Sequence, residues 1–195
     1  GCMRGMKPCR PYAGIRDTLR AIRSQQQAGN GFATMVVIYG VPEWAASKPK
    51  GCERDDIGAR SRPITAQGLD AYKKLVRSLQ DLSRQEGVSI RWWSPWNEPN
   101  GPFFISPQRA ECRGSSKALS PAVYTKFALA MREELEPGQQ LVVGELAGLE
   151  NARKYGTSIS EFFAGLPDDV VCNAGVFAQH AYAKRGDAAD DPGAV

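Results

Sequence analysis

The chain has 195 residues, of which 42% are apolar, 24% charged and 9% aromatic. Those proportions belong to a folded globular protein and exclude a disordered tail, a collagen or a coiled coil. The net charge of +4 is too small for the dense basic face that nucleic acids require, and the longest apolar run, Ala33 to Tyr39, is far too short to cross a bilayer.

Residues 11–28 read as a helix, with Ile15, Leu19 and Ile22 on one face and a solvated face of Arg16, Arg20 and Arg23. Ala33 to Val41 is β-branched and nearly all apolar, as a strand buried on both faces should be. A polar loop, Gly51 to Pro63, leads to a helix over Thr65–Glu86, where Leu69, Tyr72, Val76, Leu79 and Leu82 recur at helical spacing before Gly87. Val88 to Trp96 is the next strand, and a long Pro- and Gly-rich loop follows it to Leu119. Ser120-Pro121 starts a helix that Pro137-Gly138 stops, with Val123, Phe127, Met131 and Leu135 as its buried stripe. Leu141 to Gly144 is a short strand, Ser158 and Glu161 form a capping box for another helix, and Val176 to Tyr182 is a fourth strand. The last thirteen residues are expected to fray.

Strands that alternate with helices predict βαβ units on a parallel sheet, either doubly wound or part of a (β/α) barrel. In both, chemistry belongs at the carboxyl ends of the strands. Gly29-Asn30-Gly31 precedes a strand instead of following one, so a dinucleotide-binding turn is excluded by context. The strand ends read Pro42-Glu43-Trp44-Ala45, Trp96-Asn97-Glu98-Pro99-Asn100, Gly144-Glu145 and His180-Ala181-Tyr182. Carboxylates, aromatic rings and hydrogen-bonding amides are the mixture a sugar needs. Rings stack on its flat CH faces, amides pair with its hydroxyls, and a carboxyl group handles the glycosidic oxygen.

The Trp96-Asn97-Glu98-Pro99-Asn100 segment resembles the fourth-strand end of the clan-A glycoside hydrolases, (β/α)8-barrel enzymes, and most of all their β-xylosidase/α-iduronidase and cellulase types. Pro42-Glu43-Trp44-Ala45 resembles the P-x-W-A of the third strand, and His180-x-Tyr182 the H-x-Y of the sixth. The likeness runs over about residues 11–183. It implies a partial TIM barrel and a retaining glycosidase acting on β-linked oligo- or polysaccharides. Glu98 would be the general acid/base and Asn97 the ligand of the sugar 2-hydroxyl. Trp44, His180, Tyr182, Glu43 and Asn100 would line the substrate subsites. In that clan the nucleophile ends the seventh strand, so residues 1–195 are expected to be one incomplete catalytic domain with the nucleophile downstream. Glu145 and Glu43 also end strands, but neither matches the clan geometry for a nucleophile; Glu145 is expected to point into the barrel wall and Glu43 to bond substrate or loop.

Five cysteines without a C-x-x-C pair, and a single histidine, exclude zinc ribbons and fingers. No cofactor or metal is expected. Cys52 and Cys112 follow consecutive strands and so meet over one end of a barrel, which makes them a candidate disulfide. Cys2 and Cys9 are close enough for a second bridge, and Cys172 is expected as a buried thiol. A secreted or cell-surface location and no membrane span complete the expectation. The alternative reading is a non-catalytic carbohydrate-binding barrel.

Overall fold

The computed structural model describes residues 13–181 apart from Phe32 and Pro49. Tyr182, Cys2, Cys9 and the fraying tail of the expectation lie outside the described residues. Five helices and four strands follow one another as α1 (Ala13–Gln27), β1 (Thr34–Val37), α2 (Ala66–Gln85), β2 (Ile90–Ser94), α3 (Ser120–Arg132), β3 (Gln140–Ala147), α4 (Ile159–Ala164), α5 (Asp168–Val171) and β4 (Val176–His180). The strands form one parallel sheet in the order β1-β2-β3-β4. This is the alternating α/β architecture that the sequence predicts.

The core lies between the sheet and helices α2 and α3. Tyr72, Val76, Leu79 and Leu82 of α2 and Tyr124, Phe127 and Met131 of α3 are all buried there. Trp93 and Ile90 of β2 join them, fully or almost fully enclosed. Trp93 and Ile90 are three apart, an odd spacing that would put them on opposite faces of a regular strand. The pairing with β1 skips Arg91, because Thr34 faces Ile90 and Met35 faces Trp92, and both apolar side chains belong to the one core cluster. Trp96 stacks on Phe127 at 4.3 Å, and Tyr72 meets the same ring edge-on at 5.3 Å. The buried Tyr72 hydroxyl donates to the Pro95 carbonyl at 3.0 Å, which fixes the chain just beyond the end of β2.

Several local expectations are corrected. The run from Ala33 to Val41 is strand only as far as Val37, because Gly40 takes a φ of +90° and the chain then turns into a short 3-10 turn at Glu43–Ala45. β3 is longer than Leu141–Gly144: Gly144 marks a bulge within it, not its end. Helix α3 stops at Arg132, ahead of Pro137-Gly138, and α5 was not foreseen. The capping box of α4 is half made. Ser158 accepts the Glu161 N–H at 3.3 Å, but the Glu161 carboxylate turns away to Arg109. Cys172 is an exposed thiol and not a buried one, since it caps the exposed end of α5.

The arginine face of α1 is likewise not merely solvated. Arg16 and Arg20 both bind the carboxylate of Glu86, at the far end of α2, and Arg23 donates to its carbonyl at 3.4 Å. These guanidinium bonds hold the Glu86 carboxyl below its ordinary value. Docking of α1 through this group is therefore complete above the ordinary glutamate range and weakens as pH falls through the lowered value.

Trp93 and Trp96 are the largest fully buried side chains, and Trp93 has no exposed surface. Trp93→Ala is expected to cost about 3–5 kcal/mol of stability, measured as a lowered midpoint of urea unfolding with an unchanged slope.

Candidate active site at the carboxyl ends of the strands

The residues after β2 form the centre of the site. Beyond Ser94 the chain leaves the sheet through Pro95, Trp96 and Asn97, and Glu98 adopts a left-handed φ of 39°. Its N–H donates to the Glu145 carbonyl at 3.0 Å, which continues the β2–β3 pairing beyond the regular ladder. Glu145 is itself left-handed, with φ 56°. Among the described residues these two glutamates are the non-glycine positions with positive φ. Such backbone costs on the order of 1–3 kcal/mol per residue and persists only where the surroundings over-determine it.

Glycine at position 144 is required by close approach. Its φ is +110°, and an added Cβ would lie 2.3 Å from the Ala178 carbonyl oxygen of β4. Its N–H leaves the ladder to bond the Tyr124 hydroxyl of α3 at 3.0 Å. The bulge lets Ala147 pair with His180, so that the imidazole reaches the other strand end. His180 Nδ1 lies 2.8 Å from Glu98 Oε1. The Glu98 side chain is 15% accessible and that of His180 31%, so the pair is sheltered yet open to a ligand.

Glu145 lies beside this pair. It is only 3% exposed, and its Oε2 is buried without a hydrogen-bond partner. Burial pushes its carboxyl above the ordinary value. The His180 ring and the Ser94 hydroxyl act the other way, and the charge of Glu98 adds to the rise. The left-handed bulge that aims Glu145 here has no signal in the sequence beyond the glycine before it.

The other expected site residues are spread differently. Asn97 is partly buried beside Glu98. Glu43 is exposed in the 3-10 turn after β1. Trp44 is half-buried against the core and lines a cavity of about 190 Å³ with Tyr39, with Tyr72 and Leu75 of α2 and with Phe127 of α3. Asn100 is not placed to touch a substrate. It is fully buried, and its amide group bonds Ala147 through both N–H and carbonyl and donates to the Thr157 carbonyl as well. Tyr182 lies outside the described residues.

No family model matches this chain, and no curated protein matches it significantly. The site must therefore be read from its own geometry. Among the described residues no group of three or more His, Cys, Asp or Glu side chains is arranged to hold a metal ion, and no helix is long and apolar enough to cross a membrane.

Loops that the sequence left unread frame the cluster. Gln108, almost fully buried, donates to the carbonyls of Pro99, Gly101 and Ile105 and accepts from Thr157. Arg109, fully buried, binds the carbonyls of Ser116, Arg153 and Gly156 and forms an ion pair with Glu161. Cys52 and Cys112 are joined by a disulfide with a Cα separation of 4.8 Å, which ties the loop after β1 to the loop after β2. Exposed rings stand on these loops: Tyr39, 52% accessible, and Phe103, 54% accessible, with Arg54 over the Phe103 ring at 4.9 Å. Tyr39 lies inside the apolar run and Phe103 in the long loop, so the sequence marked neither as a site residue.

Two outcomes follow from this geometry. Arg109→Met strands three buried or partly buried carbonyls and should lower stability by about 3 kcal/mol or more, read by urea unfolding. Glu145 binds its proton more tightly in the folded chain than in the unfolded one, so its contribution to stability falls as pH rises through the ordinary glutamate value toward the raised one. Glu145→Gln removes that loss. Above the ordinary glutamate range the urea midpoint of the variant should gain on that of the wild type.

Proposed function

We propose that this chain carries the acid/base centre of a retaining glycoside hydrolase that cleaves β-linked oligo- or polysaccharides, on an arc of a (β/α)8 barrel. The observation that carries the reading is Glu98. It is a half-sheltered carboxyl group at the carboxyl end of a parallel strand, on strained backbone, with its Oε1 bonded to His180 from the strand two places away. Each strand lies next to its sequence neighbour with no reversal of order across four strands. A doubly wound sheet reverses at its switch point, and a barrel does not, so the strand order favours the barrel.

The chemistry suits the residues. A general acid must reach the glycosidic oxygen while holding a proton, and a partly buried carboxyl with one oxygen pinned presents the other in a fixed direction. His180 orients Glu98. Asn97, adjacent in sequence and partly buried, takes the sugar 2-hydroxyl, in keeping with the resemblance of Asn97-Glu98-Pro99 to the clan-A strand end. The exposed faces of Tyr39 and Phe103 offer apolar area to sugar rings further along the cleft. The reading assigns no nucleophile. Glu145 is nearly inaccessible, which argues for a supporting role and against direct attack on an anomeric carbon. The Cys52–Cys112 disulfide supports a location in an oxidising compartment, as for a secreted or cell-surface enzyme.

In any form of the protein that hydrolyses an aryl β-glycoside with a poor leaving group, Glu98→Gln should lower kcat by about 10²–10⁴-fold with glycan binding retained. Unchanged hydrolysis would refute the assignment. Glycan binding by the wild type without release of reducing ends would favour the carbohydrate-binding reading instead.

A further inference from the structure

A groove of about 300 Å³ that shares no residue with the Glu98 site lies between the loop after β1 and the first turns of α3. Its floor is aliphatic: Pro63 and Pro107 from the loops, and Leu119, Ala122 and Val123 at the start of α3. Its rim is Lys48, Lys50 and Lys126. All three lysines are exposed, none forms an ion pair among the described residues, and no carboxylate lines the groove.

The rim is held in place by bonds to the rest of the fold. Ser47, just before Lys48, bonds the Pro63 carbonyl through both its N–H and its hydroxyl, each at 2.8 Å. Cys52, two residues after Lys50, donates its N–H to the Arg109 carbonyl at 2.8 Å and is tied to Cys112. Lys48 and Lys50 therefore stand on a segment pinned at both ends. Gly51 takes a φ of +143°, and an added Cβ there would lie 2.8 Å from the Pro107 ring and 3.0 Å from the Leu119 side chain. Rim and floor are thus packed together. Leu119, Ala122, Val123 and Lys126 recur at helical spacing, which sets Lys126 on the same face of α3 as the aliphatic floor.

The residue types select the occupant. An ammonium group is a point charge that meets a carboxylate from any side, whereas planar phosphate recognition favours the arginine fork, and no arginine lines this groove. No aromatic ring lines it, so sugar faces and polyproline segments have nothing to stack on. An alkyl chain would keep one side in water, since the lysines and Ala122 are exposed. An extended peptide with an aliphatic side chain between carboxylates matches floor and rim at once. We propose that this groove docks an acidic peptide segment of a partner protein, its aliphatic residue seated on Leu119, Ala122 and Val123 and its carboxylates paired with Lys48, Lys50 and Lys126.

The test is a titration of the full chain with the peptide acetyl-Asp-Glu-Leu-Asp-Glu-amide, followed by calorimetry and backbone NMR. Amide shifts are expected to change at Lys48, Lys50, Ala122, Val123 and Lys126, with affinity falling as salt is added. Lys48→Glu together with Lys126→Glu should raise Kd about tenfold or more, with an unchanged urea midpoint. Replacing the leucine of the peptide by serine should weaken its binding to the wild type about tenfold. Ala122→Trp, which fills the floor and leaves the charges, should weaken binding as well. Absence of binding at low salt overturns the proposal. So does a serine peptide that binds as tightly as the leucine one, since that shows a charged surface without a seat. Binding to phosphatidylserine vesicles that the peptide does not displace assigns the groove to a membrane surface and overturns it too. The two peptides are compared on the wild type, so the outcome is decided even if a variant fails to fold.

Discussion

A single backbone hydrogen bond, from the Glu98 N–H to the Glu145 carbonyl, holds the centre of this molecule in place. Both residues are left-handed, a conformation that side chains disfavour. Neither strand would adopt it alone. The bond exists because Gly144 removes a Cβ from the β3–β4 contact and sends its own N–H to Tyr124, which frees β3 to bulge. Once β3 bulges, its next carbonyl meets the chain leaving β2, and the register with β4 shifts so that His180 arrives opposite Ala147. The imidazole of His180 and the carboxyl group of Glu98 thus meet as a consequence of where one glycine lies.

Such strain must be held from outside, and the loops do this with buried polar side chains. Parallel strands end without hairpins, so the segments beyond β2 and β3 have no shared ladder to satisfy their backbone groups. Asn100, Gln108 and Arg109 supply the missing partners and join the two loops through Ala147, Thr157, Arg153 and Gly156. A buried guanidinium is costly to desolvate, and its ion pair with Glu161 does not by itself make the fold more stable than an apolar core would. What it provides is specificity: bonds to three carbonyls that fit one loop arrangement. The disulfide adds a covalent tie across a sequence separation of 60, worth about 4 kcal/mol if chain entropy alone is counted.

The parts of this arrangement that follow from periodicity were legible in the sequence. The stripe of α2, the Ser-Pro start of α3 and the alternation of strands with helices led to the sheet as found. Glu98 and His180 were legible because both end apolar runs. The burial of Glu145 agrees with its expected place in the wall, but a regular strand gives no warning of the bulge at Gly144 that sets its left-handed backbone. Asn100 was misread for a related reason. In the sequence it is one more polar residue in a polar segment, and only the approach of Ala147 and Thr157 makes it a clamp. The position of Trp44 depends on Gly40, whose positive φ turns the chain after β1 and brings the indole to a cavity that it lines with Tyr39, Tyr72 and Phe127.

Seen together, stability and chemistry pull in opposite directions at the strand ends. The hydrophobic core includes Trp93, Leu141, Val143 and Leu146 together with residues of α2 and α3. At the carboxyl ends, two left-handed residues, one nearly buried carboxyl with an unpartnered oxygen and one half-sheltered acid are gathered within a few residues of each other. A chain selected for stability alone would replace Glu145 and relax Gly144 into a regular ladder. Departures of this kind cluster at sites that act on a ligand. That concentration of strain around Glu98 is an argument for function that does not depend on the resemblance of its neighbouring residues to any family.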